Sequence, residues 1–66
     1  MIVIRTKMNV LSEKRLEVLQ TLRSLVGPVG REAGCNCYGV YYDTNDEKCF
    51  ILIEEWESQE DLVRHI

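Results

Sequence analysis

His65 is the chain's single histidine, and an imidazole titrates near neutral pH, so it is the first residue to consider as a proton acceptor. Its plainer reading is a hydrogen-bonded helix histidine that helps dock the element carrying it. Trp56 can form a wall on which a flat substrate stacks. The competing account is core packing at the junction of a strand and a helix. Tyr38, Tyr41 and Tyr42 can donate to a phenolate oxygen, or serve as half-buried sheet residues. Arg5 and Asn9, on or beside the first strand, can bind an anion, or be a solvated charge and a turn residue. Glu54, Glu55 and Glu57 suggest paired carboxylates, but their grouping at a strand end reads as a solvated rim.

Cys35-x-Cys37 invites a metal reading. A tetrahedral site needs four N or S ligands, and the sequence offers neither a second cysteine pair nor a second histidine. Two residues apart on one strand, the pair shares a face without the geometry to bridge well. The cysteines number three, with Cys49 the third. An odd count with no signal peptide ahead of it points to a reducing, cytoplasmic setting. Nothing resembles GxGxxG, a P-loop or HExxH, the usual phosphate and zinc motifs. The formal net charge is −3, the pI is near 5.0, and the basic residues are scattered. That argues against nucleic acid or an anionic membrane as the main partner. The apolar run Met1 to Ile4 is far too short to span a membrane.

The elements that must position these groups follow from hydrophobic period. Ile2, Ile4, Thr6 and Met8 alternate with Val3, Arg5 and Lys7, which predicts a strand over 1–8. Ser12 reads as a helix N-cap, with Glu13 near the positive end of the helix dipole. Leu11, Val18, Leu19, Leu22, Leu25 and Val26 then form a stripe at helical spacing, with Leu16 off it. Gly27-Pro28 predicts that the helix either stops near Val26 or kinks and continues toward Glu32. A second strand is expected over 35–42, a polar hairpin loop over 43–47, and a third strand over 48–56. The centre of that strand, Cys49 to Ile53, is apolar on both faces and requires cover on both sides. Helices can supply one side; the other implies a partner subunit. Ser58 caps a second helix, with Asp61 completing an imperfect capping box and Leu62 and Ile66 on its inner face. With 66 residues the chain forms one domain, 1–66, and a β-α-β-β-α pattern lacking its last strand reads as a truncated unit.

The string Glu32-Ala33-Gly34-Cys35 running into Tyr38, followed by Ile51-Leu52-Ile53-Glu54-Glu55-Trp56-Glu57-Ser58, Asp61-Leu62 and His65, resembles the antibiotic-biosynthesis-monooxygenase family, which includes quinol monooxygenases. The resemblance runs across nearly all of the chain, although the family domain is typically longer. It implies a ferredoxin-like α+β fold, with the antiparallel sheets of two subunits packed into a dimeric α+β barrel and a pocket between sheet and helices in each. It further implies oxidation of a quinol or related small aromatic molecule by oxygen with no cofactor, metal or flavin. An electron-rich phenolate can itself pass an electron to oxygen, given a dry pocket and a proton acceptor. In that setting His65 is the expected catalytic base, and Trp56, Tyr38, Asn9 and Arg5 the expected substrate pocket. A non-catalytic dimeric module that binds a ligand or simply dimerises is the alternative. Haem degradation is a variant in the same group; Asn9 and Trp56 match its residues in kind, but its histidine lies farther along the second helix.

Overall fold

A computed structural model describes all residues, Met1–Ile66. The chain forms β1 (Ile2–Asn9), a 3₁₀ turn (Ser12–Lys14), α1 (Arg15–Gly30), β2 (Cys35–Asp43), β3 (Asp46–Trp56) and α2 (Gln59–His65). The strands make one antiparallel sheet in the order β1-β3-β2.

Strand alternation divides the sheet into two unlike faces. Phe50, Leu52, Glu54 and Trp56 of β3 stand beside Met8, Thr6, Ile4 and Ile2 of β1, and beside Tyr42, Val40 and Tyr38 of β2. Both helices cover this face. The Arg15 guanidinium at the start of α1 lies 5.3 Å from the Tyr42 ring centroid and 5.5 Å from that of Phe50, and its Nε donates to the Glu47 carbonyl at 2.7 Å. At the other end α2 lays His65 against Trp56. Phe50 and Trp56 have no exposed surface and form the centre of the core, joined by Val29 of α1. The opposite face carries Ile51 and Ile53, with Val3 and Tyr41 beside them largely exposed. The two-faced apolar character of β3 is therefore matched by helices on one side only.

Several local expectations are corrected. Ser12 does not cap α1: its hydroxyl donates to Glu13 at 3.3 Å, Leu11 opens the 3₁₀ turn, and α1 starts at Arg15 with no side-chain cap. Of the two outcomes open at Gly27-Pro28, the helix takes the second and continues past Val26, as far as Gly30. The missing N–H of Pro28 takes one helical bond from the Ser24 carbonyl, and the helix ends two residues later. The chain then tightens, with Arg31 N–H donating to the Pro28 carbonyl and Glu32 N–H to that of Val29. Leu11 and Leu25 fall off the buried side of the stripe. The hairpin turn is shorter than expected, because Asp43 already pairs with Asp46; Asp43 and Asp46 side chains accept from the backbone N–H groups of Asn45 and Lys48. At α2 the Ser58 hydroxyl accepts from Asp61 N–H at 3.2 Å, the first half of a capping box, and donates to the Asp61 carboxylate at 2.8 Å in place of the reciprocal bond from its backbone N–H. Ile66 is 91% exposed, so it is His65, not Ile66, that α2 turns inward beside Leu62. No helix is long and apolar enough to cross a membrane.

The register of β2 on β3 slips between Cys35, opposite Trp56, and Cys37, opposite Glu55. Asn36 is the extra residue of a β-bulge, and bulges re-aim side chains. Cys35 and Cys37 therefore lie on opposite faces, against the expectation that they share one, while Cys35 and Tyr38 both join the helix-covered face.

Candidate functional site

A cluster of polar and aromatic side chains forms where α2, the end of β3 and the start of β2 meet. Trp56 is its floor. Glu54, two residues earlier on the same face, accepts the Trp56 indole N–H at 3.1 Å and is 8% exposed. The Ser58–Asp61 cap sets where α2 begins, and less than two turns later His65 arrives over Trp56, with ring centroids 4.8 Å apart and planes inclined by 29°. Tyr38 meets the imidazole edge-on, centroid to centroid 6.2 Å. Glu32, held in the turn after α1, brings both carboxylate oxygens to His65 Nδ1, at 3.0 and 3.2 Å. Gly34 permits the chain to close here: its φ is +82°, and a Cβ would collide with the Asp61 side chain.

In the neutral imidazole, the hydrogen bond to Glu32 places the proton on Nδ1 and leaves the lone pair on Nε2. Its nearest acidic neighbour, Glu54 Oε1, stands 3.9 Å away, too far for a hydrogen bond. An oriented imidazole with an unengaged Nε2 is equipped to accept a proton. Burial pushes the Tyr38 phenol above its ordinary pKa, and the charge of Glu54 adds to the effect, followed by Cys35 and Glu32. Burial also raises Cys35, against a backbone hydrogen bond at Cys37 that favours the thiolate, with Cys37, Glu32 and Glu54 adding. Both groups thus keep their protons at neutral pH.

Of the residues singled out in the sequence, His65, Trp56 and Tyr38 come together. Arg5 and Asn9 do not join them: they pair with Ile53 and Cys49 on the helix-free face. Tyr41 lies on that face as well, its ring folded over Gly39, and Tyr42 packs with Arg15 at the far end of the sheet. Glu54 is no solvated rim residue, since alternation turns it inward beside Trp56; Glu57 is exposed and accepts from Asn36 at 2.9 Å. Glu32 and Glu54 are the members that sequence reasoning missed. Glu54 had a signal, its spacing of two from both Leu52 and Trp56. Glu32 had none, for it meets His65 only through the tertiary fold. No group of three or more His, Cys, Asp or Glu is arranged to hold a metal ion. Two surface depressions lie along α1 and α2, and neither includes a member of the cluster.

An antiparallel sheet ordered β1-β3-β2, with α1 and α2 on one face, is the ferredoxin-like α+β arrangement. The family model described as antibiotic biosynthesis monooxygenase matches residues 1–66, and the chain belongs to that family. Among solved structures it is similar to a conserved protein from Methanosarcina mazei Go1, with 31% identity over 97% of this chain and 63% of that one, and a TM-score of 0.91. PA3566 from Pseudomonas aeruginosa shares 30% identity over 96% of this chain and 64% of its own, with a TM-score of 0.89. A structure described as antibiotic biosynthesis monooxygenase shares 32% over 96% and 65%, with a TM-score of 0.84. The chain thus spans a little under two thirds of the length of each of these relatives. No curated protein matches it significantly.

Proposed function

We propose that the protein is a cofactor-independent monooxygenase acting on a quinol or related small aromatic molecule, working as a homodimer. The observation that carries this reading is the Glu32–His65 pair, which fixes the imidazole tautomer and leaves Nε2 open beside Tyr38 and over Trp56. His65 Nε2 takes the proton of a substrate hydroxyl. The phenolate so formed passes an electron to dioxygen, the resulting radicals join in a carbon–oxygen bond, and loss of water leaves the hydroxyquinone. Quinol plus dioxygen gives hydroxyquinone plus water, so atoms and electrons balance. Glu32 stabilises the imidazolium through Nδ1, and the buried Trp56 floor excludes water from that side of the ring. The helix-free face, with Ile51, Ile53, Val3 and Tyr41 among its residues, is the surface on which the second subunit packs in this reading.

Oxygen uptake with a panel of quinols tests the reading. Wild-type protein should accelerate uptake, and His65→Ala should reduce kcat by about 10²-fold or more, the usual contribution of a positioned base. Equal uptake with and without protein across the panel would refute it. The position of both surface depressions away from the cluster favours a second reading, a non-catalytic dimeric ligand-binding module. An intact dimer that binds a quinol but drives no oxygen uptake would establish that instead.

A further inference from the structure

The cluster is unbalanced in charge. Two carboxylates approach the imidazole, Glu32 at Nδ1 and Glu54 toward Nε2. Neither has a lysine or arginine within ion-pairing distance. Arg64 on α2 is held by Asp61, and the Arg5 guanidinium, the obvious candidate for receiving an anion, belongs to the other face of the sheet. Glu54 is 8% exposed, so water screens it poorly.

The effect is visible on the two acids that share this space. Tyr38 and Cys35 both resist ionising, through burial first and through the charges of Glu54 and Glu32 in addition. An anion brought in with a ligand would meet the same poor solvation and the same two carboxylates. A neutral hydroxyl would meet a lone pair on His65 Nε2 and an intact phenol O–H on Tyr38.

Resting on the reading of this cluster as the quinol site, we infer that Glu32 and Glu54 make it selective for uncharged aromatic hydroxy compounds. It admits a neutral hydroquinone or catechol and rejects analogues that carry a carboxylate or another fixed negative charge. The selectivity is compatible with the chemistry. When a bound hydroxyl gives its proton to Nε2, the new positive charge lies between the phenolate and Glu32, and beside Glu54. A phenolate is therefore held when it is made in place, and repelled when it arrives already charged.

The chain has one histidine and one tryptophan, so their ring signals in NMR spectra are unambiguous reporters of this cluster. The experiment is an anaerobic titration with methylhydroquinone and, separately, with gentisate, a hydroquinone bearing a carboxylate. Excluding oxygen removes turnover, which keeps the result apart from the question of oxygenase activity. Methylhydroquinone should shift the His65 and Trp56 signals saturably, and gentisate should bind at least about tenfold more weakly, the scale expected of like charges a few ångströms apart in a poorly screened site. Glu54→Gln, whose amide oxygen can still accept the Trp56 N–H, and Glu32→Gln, at a more exposed position, should each narrow the gap several-fold. Gentisate binding as tightly as methylhydroquinone, a gap unchanged in both variants, or no saturable shift with either compound would overturn the inference. Charge-selective binding without quinol-dependent oxygen uptake would sustain the selectivity while removing the oxygenase reading.

Discussion

Replacing Trp56 by alanine should come close to unfolding the protein. Its side chain has no exposed surface, and truncating a buried aromatic of this size typically costs about 3–5 kcal/mol. Two further losses follow from its neighbours. The Glu54 carboxylate, 8% exposed, loses the indole N–H that it accepts at 3.1 Å, and an orphaned buried acceptor costs roughly 1–3 kcal/mol more. His65 loses the ring it stacks on at 4.8 Å. A chain of 66 residues has about 3–10 kcal/mol of stability in all. His65→Ala is a much milder change. Its hydrogen bond with Glu32 joins side chains 23% and 39% exposed, and solvent screening holds such a contact to about 1 kcal/mol or less. Urea melts followed by far-UV circular dichroism measure both, since the fluorescent residue is itself the one removed. Trp56→Phe separates the contributions: it restores most of the packing but not the N–H, and should fall between wild type and Trp56→Ala. Equal midpoint shifts for Trp56→Ala and His65→Ala would refute the reasoning, as would Trp56→Phe behaving like wild type.

Sedimentation should find a dimer at micromolar concentration, and Ile53→Glu, a charge placed on the helix-free face, should dissociate it while far-UV dichroism stays unchanged; a stable wild-type monomer would contradict this. Tyr38 and Cys35 hold their protons more tightly folded than unfolded, so the unfolded chain ionises first as pH rises. Stability should be unaffected by these groups below their ordinary values of about 8.5 and 10, and should fall as pH rises past them toward the raised folded values. Tyr38→Phe should flatten the upper part of that loss in urea midpoints taken across the alkaline range, and an unchanged slope would count against the placement of Tyr38. Cys35 should also alkylate at pH 8 more slowly than a free thiol such as glutathione, because its thiolate is disfavoured; a rate equal to glutathione's would be inconsistent with its burial.

Much of the fold was legible in the sequence because the signals were local. The alternation of Ile2, Ile4 and Met8, the helical stripe through Val18 and Leu22, and the Ser58–Asp61 pair each name an element from residues within a turn or two of one another. Illegible features were those decided by contacts distant in sequence. Ser12 has the chemistry of a cap, but the path from β1 onto the sheet needs an extra 3₁₀ turn first. Leu62 and Ile66 have apolar helical spacing, yet Glu32 and Trp56 supply partners that draw His65 inward instead. Glu54 looked like part of an acidic rim, and its burial depends on the indole N–H of Trp56. Arg5 and Asn9 were assigned to the site by type, whereas the strand parity they share with Val3 and Lys7 sets them across the sheet from it.

The bulge at Asn36 bears on how this chain should be aligned with others. Cys35 stands opposite Trp56 and Tyr38 opposite Glu54, with one unpaired residue, Asn36, between positions 35 and 37. Removing Asn36 would leave Cys35, Cys37 and Tyr38 opposite the same three residues of β3, now along an uninterrupted ladder. Position 36 is therefore a place where a homologue can gain or lose a residue without displacing either flank. A gapless alignment through this stretch would match the wrong side chains on one side of it, and would hide either the cysteine or the tyrosine of the cluster from its true counterpart.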